Sequence, residues 1–158
     1  MKRTESKEIS AVELIGAVSD TTPTYNGFGP LLELSAGDYS IRTAVKLPND
    51  WNGGTVKVRI NHARQDSDTV AAGIVINLIE PGTETGVGDA GTPVSLDLSG
   101  PTNKLTTSPA VDVTPGGTYT GSEFLGIYIT VPEPSINFRD FVRSIEIQYT
   151  RELCEDAW

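Results

Sequence analysis

Hydrophobic and polar residues alternate along most of this chain with a period of two. That spacing turns one face of an extended strand towards a core and the other towards water. In YSIRTAVKL, Tyr39, Ile41, Thr43, Val45 and Leu47 take one side, and Ser40, Arg42, Ala44 and Lys46 the other. TVKVRI repeats the pattern, with Val56, Val58 and Ile60 against Lys57 and Arg59. Between them Pro48 to Gly54 (PNDWNGG) supplies residues of fixed or positive φ suited to a reversal, so the two strands are expected to form a hairpin or to lie side by side in one sheet. Val70 to Ile79 (VAAGIVINLI) is apolar on both faces, the pattern of a central strand sandwiched between layers, and Gly73 with the β-branched residues speaks against a buried helix. Val94, Leu96 and Leu98 alternate again, a short strand is expected near Leu105, and Val111 and Val113 run into a turn at Pro115 to Gly117. Phe124 to Val131 (FLGIYITV) and Val142 to Thr150 (VRSIEIQYT) are the densest strands; the second sets Ile145, Ile147 and Tyr149 against Glu146, Gln148 and Thr150.

The ends are less regular. Met1 to Ser6 is polar and without period, and residues 1–8 read as a flexible arm. In EISAVELIGAV two readings compete: β-branched residues and Gly16 favour a strand, whereas Ala11, Glu13 and Leu14 suit a short helix. Leu31 to Leu34 is a short apolar piece closed by a turn at Ser35 to Asp38, and residues 151–158 (RELCEDAW) form an acidic tail. With about eight strands, no long helix and no fixed-period repeat, residues 9–150 are expected to form one all-β domain, an antiparallel β-sandwich of jelly-roll type.

Composition narrows the functional classes. The 158 residues include Gly 16 and Pro 10, as many turns require. A chain of this size buries roughly two thirds of its unfolded surface, enough for a core without metal or disulfide staples. The net charge of -9 argues against nucleic acid and against an anionic membrane surface, both of which need clustered Lys and Arg. No apolar run approaches the roughly 20 residues that cross a bilayer. Glu13 interrupts the would-be apolar stretch of a signal segment, so synthesis in the cytoplasm is expected. Cys154, the single cysteine, permits no intramolecular disulfide.

The candidate chemistry is sparse. His62 is the only histidine, two residues past Ile60, where it shares the inward face or caps the strand. A metal site there would need carboxylates for its other ligands, and no Gly-x-Ser-x-Gly elbow accompanies it for a Ser-His-Asp arrangement. A small hydrolase on a cupin-like barrel would need several histidines. Asp66 and Asp68 could face one hard cation, but the twelve-residue calcium-loop pattern is absent. No catalytic residue, metal or cofactor is therefore expected. Glu80, Glu84 and Asp89 lie in a glycine-rich loop that either docks on a basic patch of a neighbour or is simply solvated. Trp51, among Asn49, Asp50 and Asn52, is either an exposed stacking or interface residue or a lid folded over the end of the sandwich. Leu153 and Trp158 are apolar residues in a polar tail, suited to a groove on an adjacent chain.

Three segments in order, Leu47 to Ile60 (LPNDWNGGTVKVRI), Thr114 to Thr130 (TPGGTYTGSEFLGIYIT) and Arg143 to Thr150 (RSIEIQYT), resemble small bacteriophage virion proteins built as jelly-roll modules. The chain departs from that pattern at Asn61 to Arg64, where the family tends to carry an aromatic pair. The resemblance implies a capsid decoration (cement) protein on the virion surface, held to the major capsid protein and to copies of itself, as a trimer, by protein-protein contacts. Trp51, Glu80, Glu84, Asp89, Leu153 and Trp158 are the interface candidates. The alternative is a carbohydrate-binding module or tail-fibre component with Trp51, Tyr119 and Tyr128 as stacking residues, which requires exposed aromatics clustered on one face.

The facing of the last strand is directly testable. Ile147→Asp is expected to cost several kcal/mol by placing an unpaired carboxylate in the core, whereas Gln148→Asp is expected to be nearly neutral. Denaturant unfolding of the two variants measures the difference, and equal effects would reverse the assigned face.

Overall fold

The period-two segments become strands, and twelve strand segments assemble into two antiparallel sheets of a jelly-roll sandwich. The computed structural model describes residues 1–10, 13, 15–16, 24–26, 29–35, 40–64, 71–81, 91–130 and 139–152. The larger sheet holds β1 (Lys2–Ser10), β3 (Thr24–Asn26), β4 (Gly29–Ser35), β6 (Val56–Arg64), β9 (Leu105–Thr107), β10 (Val111–Val113) and β12 (Arg139–Glu152). The smaller holds β2 (Ile15–Gly16), β5 (Ser40–Val45), β7 (Ala71–Ile79), β8 (Val94–Asp97) and β11 (Phe124–Thr130), in the order β2-β5-β11-β7-β8. Four of the described segments, β2, β3, β9 and β10, are only two or three residues long.

The inward sets predicted by alternation meet between the sheets. Val56, Val58 and Ile60 of β6 and Ile145, Ile147 and Tyr149 of β12 face Ile41 and Val45 of β5, Leu125, Ile127 and Ile129 of β11, and Ile74, Ile76 and Leu78 of β7, all buried in one cluster. β12 is the spine of the larger sheet, with β6 along one side and β1 and β4 sharing the other. A bulge between Val142 and Ser144 shifts its register, so the inward set changes from Asp140 and Val142 to Ile145, Ile147 and Tyr149. Beyond the bulge the core turns polar: His62, Arg64 and Asp140 are all buried there.

Three expectations are corrected. β5 and β6 are not sheet neighbours, because Pro48 to Gly54 carries the chain from the smaller sheet to the larger. Alternation establishes that each strand has a buried face, not which sheet it joins. β7 is central, between β11 and β8, but the sandwich has only two layers, so Val75 and Ile79 are half-buried on an outer face. The N-terminal residues are not a flexible arm: Lys2 to Ser10 pair with Glu152 to Ser144 as an edge strand. Backbone ladders and cross-strand charges hold that strand, and neither leaves a hydrophobic period to read. β12 likewise runs through Arg151 and Glu152, into the segment read as tail.

Arg151 joins three parts of the chain here. Its guanidinium donates to both carboxylate oxygens of Asp50 at 2.7 and 2.6 Å and to Glu5 at 3.0 Å, tying β12 to the crossover and to β1. Its hydrogen bonds hold the Asp50 carboxyl below the usual aspartate range. Removing residues 1–8 is therefore expected to destabilise the domain by about 2 kcal/mol or more and lower Tm by roughly 6 °C. A flexible arm would leave Tm unchanged, and calorimetry of the shortened chain separates the two.

Candidate functional site

Because Leu125, Ile127 and Ile129 of β11 point into the core, Phe124, Gly126, Tyr128 and Thr130 must point out. The register fixes their neighbours: Tyr128 lies between Arg42 of β5 and Val75 of β7, and Gly126 between Ala44 and Asn77. Phe124 pairs with Ile79, while the Lys46 ammonium stands 5.5 Å over the Phe124 ring centroid on the other side. Phe124 is 37% exposed, Arg42 is exposed, and Tyr128, Val75 and Ile79 are half-buried. Phe124 and Tyr128 are four positions apart, which puts their Cα atoms about 13 Å apart along β11. A Cβ at Gly126 would collide with Ile79 Cδ1 and stand 3.4 Å from Tyr128 Cε2. Glycine thus lets the Ile79 side chain and the Tyr128 ring lie across the backbone, forming a low apolar platform on the middle of the sheet.

The loop leading into Phe124 is held by its own polar contacts. Lys46 Nζ donates to the carbonyls of Gly121 and Glu123 at 2.9 and 3.1 Å. The Glu123 carboxylate accepts from the Thr120 hydroxyl at 2.6 Å, from the Thr120 amide at 2.9 Å and from the Gly121 amide at 3.1 Å. These bonds, the Thr120 hydroxyl foremost, pull the Glu123 carboxyl down to about 2.

The outer face of the larger sheet is of a different kind. Thr4, Thr55, Lys57, Asp112, Gln148 and Thr150 line a shallow cleft of about 250 Å³. Its charges are already matched: Lys57 to Asp112 at 2.7 Å, and Arg59 to both carboxylate oxygens of Glu146 at 2.9 and 2.8 Å. At the polar end of the core, His62 Nδ1 lies 2.7 Å from Asp140 Oδ2 with both side chains fully buried, and Asp140 Oδ1 accepts the Phe141 amide at 2.8 Å. His62 therefore shares the inward face of β6, as its spacing allowed, and no surface ligand reaches it.

Of the interface candidates, Trp51 is corrected: it is 3% exposed, with its ring centroid 4.5 Å from that of Tyr119, so it is a lid over the core and not an exposed anchor. The close approach of Tyr119 Cβ, 2.7 Å from where a Cβ on Gly53 would sit, and a φ of +72° require glycine at that turn. Glu80 is exposed at the end of β7. Glu84, Asp89, Leu153 and Trp158, like Asp66, Asp68 and Cys154, lie outside the described residues. Among the described residues no three His, Cys, Asp or Glu side chains come together to hold a metal. Of the stacking candidates, Tyr119 belongs with Trp51, and Tyr128 stands on an open sheet face. Phe124, Arg42, Val75 and Ile79 were not among the sequence candidates. For Phe124, Val75 and Ile79 the signal was the apolar character of FLGIYITV and VAAGIVINLI on both faces, which in two packed layers leaves one apolar face outward; for Arg42 there was none.

No protein-family model matches the chain, and no curated protein matches it significantly. Its fold is similar to that of a carbohydrate-binding module, CBM36 in complex with calcium and xylotriose, with a TM-score of 0.61, 13% identity and coverage of 89% of this chain and 98% of that one. The CBM36-1 domain of a multidomain xylanase from the hindgut metagenome of Trinervitermes trinervoides gives a TM-score of 0.58 at 10% identity, covering 90% and 96%. A family 35 carbohydrate binding module from Clostridium thermocellum gives 0.53 at 13% identity, covering 90% and 97%. These neighbours correct the expectation of a capsid decoration protein, since the matching structures are carbohydrate-binding modules and not virion proteins. The major capsid protein and the trimer rested on that expectation and have no separate support.

The loop before Phe124 carries a pH dependence of known sign. The folded carboxyl of Glu123 sits near 2, below its ordinary value of 4.5, so its stabilising contribution is complete above about pH 4.5 and disappears as the pH falls towards 2. Glu123→Gln is expected to be less stable than wild type at pH 6, with the gap narrowing steadily between pH 4.5 and 2 in denaturant titrations.

Proposed function

We propose that this chain is a non-catalytic carbohydrate-binding module that holds a polysaccharide against the outer face of the five-stranded sheet. The observation that carries the reading is the pair Tyr128 and Phe124, set in line on one strand with Ile79 and Val75 beside them and no third sheet over them among the described residues. A pyranose ring presents its C–H groups on its flat faces and its hydroxyls around the rim. An aromatic platform takes the first, and polar side chains beside it take the second. Arg42 and Thr130 stand next to Tyr128 for the second task. Phe124 and Tyr128 stand four positions apart on one strand, about 13 Å of backbone, and a platform of that length suits a chain of sugars better than a single one.

Fold similarity supports the same reading, because one neighbour is described in complex with xylotriose. The burial of His62 with Asp140 supports binding over catalysis, since the one histidine is withdrawn from any bound ligand. A rigid sheet face also suits binding without ordering costs, because its side chains are held by neighbours before the ligand arrives.

Affinity electrophoresis in gels containing soluble xylan, β-glucan, polygalacturonate or alginate tests the proposal. Wild type is expected to be retarded by at least one of them, and Tyr128→Ala to lose about tenfold in affinity, the worth of one aromatic platform. Thr150→Ala, in the cleft of the other sheet, is expected to bind as wild type does. A loss confined to the Thr150 variant would move the site to the other face, and no retardation by any polymer would end the proposal.

A further inference from the structure

We infer that the polysaccharide is acidic, with a sugar carboxylate received by Arg42; this rests on the binding reading above and names its ligand class. The chain carries 21 Asp and Glu against 12 Lys and Arg, yet none of the outward residues of β5, β7 and β11 is acidic. Three described carboxylates near the rim are turned to other partners. Glu13 accepts the Ser10 amide and hydroxyl at 2.9 and 3.1 Å, Asp97 accepts the Ser99 amide at 2.8 Å, and Glu123 holds Thr120 and Gly121 as described. Glu80 stands one residue beyond Ile79 at the end of β7. Among the described residues of these three strands, the face is therefore an acid-free strip on a strongly acidic molecule.

Two cations stand on the strip, and their situations differ. Lys46 is engaged by the Gly121 and Glu123 carbonyls and by the Phe124 ring. Arg42 is exposed and makes no ion pair with a described residue, whereas Lys57, Arg59 and Arg151 each have a carboxylate partner. Arg42 is also the direct cross-strand partner of Tyr128, which places the two Cβ atoms roughly 5 Å apart. A sugar stacked on the Tyr128 ring then has its ring substituents within reach of the guanidinium. A carboxylate there accepts the planar fork through two parallel hydrogen bonds, whereas a hydroxymethyl group leaves the charge uncompensated. The net charge of the molecule repels polyanions at long range, so the short-range match at Arg42 must decide the preference, and added salt must screen the repulsion as well as the attraction.

Polygalacturonate and its methyl ester share a backbone and differ in charge, which makes them the decisive pair, with alginate as a second uronate and xylan as a neutral polymer. Binding of wild type, Arg42→Gln, Arg42→Lys and Arg143→Gln is measured by affinity electrophoresis and calorimetry. The expected result is binding to at least one uronate polymer at least tenfold tighter than to the methyl ester and xylan. Arg42→Gln is expected to lose that preference, Arg42→Lys to keep part of it, and Arg143→Gln, which removes an exposed charge from the larger sheet, to keep all of it. Equal binding to charged and neutral polymers, unchanged in Arg42→Gln but lost in Tyr128→Ala, would overturn the acidic ligand and leave the binding face standing. An equal loss in Arg143→Gln would show an effect of net charge and overturn the role of Arg42. Failure to bind any polymer would overturn both readings together.

Discussion

The described strands form two layers, and the rest of the structure follows from how they share that one interior. Ile127, Ile129, Ile74 and Ile76 from one sheet lock against Val58, Ile60, Ile145 and Ile147 from the other, all fully buried. Each apolar side chain of this size contributes roughly 1.5–3 kcal/mol by leaving water. Strands this firmly committed inward cannot also hide their outward residues. Where the outward residues are Arg, Lys, Gln or Thr, as on β6 and β12, the outer face is an ordinary solvated surface. Where they are Phe124, Tyr128, Val75 and Ile79, the same geometry leaves an apolar platform open to a partner.

Polar groups finish the structure at its ends and edges, where apolar packing stops. Trp51 and Tyr119 close the core beneath the Pro48 to Gly54 crossover, and His62 with Asp140 occupies the core beyond the bulge in β12. Arg151 binds Asp50 and Glu5 at the edge, and Glu123 cradles Thr120 and Gly121 just before β11 begins. The last two arrangements bear on binding as well as stability. A strand whose entry loop is pinned by a carboxylate and by Lys46 presents Phe124 in one place, and preorganisation of that kind lowers the cost of holding a ligand.

Trp51 and Tyr128 show why a binding residue is hard to pick by local sequence. Trp51 stands among Asn49, Asp50 and Asn52, a polar setting that suggests exposure, yet the crossover folds its indole against Tyr119 and into the core cluster. Tyr128 stands among Ile127, Ile129 and Leu125, an apolar setting that suggests burial, yet the strand pleat sends it outward. Exposure is decided by the side of the strand and by what lies above it, and neither follows from the polarity of the adjacent residues. The capsid decoration reading was drawn from segments with a related weakness. Its three segments are strands and turns that many jelly-roll proteins need for folding, so they report the scaffold and not what the scaffold carries.

The residues by themselves determined the all-β class, the position of most long strands and the inward sets of β5, β6, β8 and β12. Period-two spacing is a property of neighbours in the chain, and the side-chain pleat converts it directly into a buried and an exposed face. They also drew Tyr128 into the list of aromatics, and left His62 between the inward face of β6 and a cap, a choice the structure settled by burying it. Tertiary structure alone decided that β5 and β6 belong to different sheets and that the polar N-terminal segment is a strand. It also set Arg42 beside Tyr128, although the two are 86 positions apart in sequence. Those facts depend on which strands pair and in what register. Pairing is chosen by the whole set of inward faces finding one common interior, a constraint that no single segment contains.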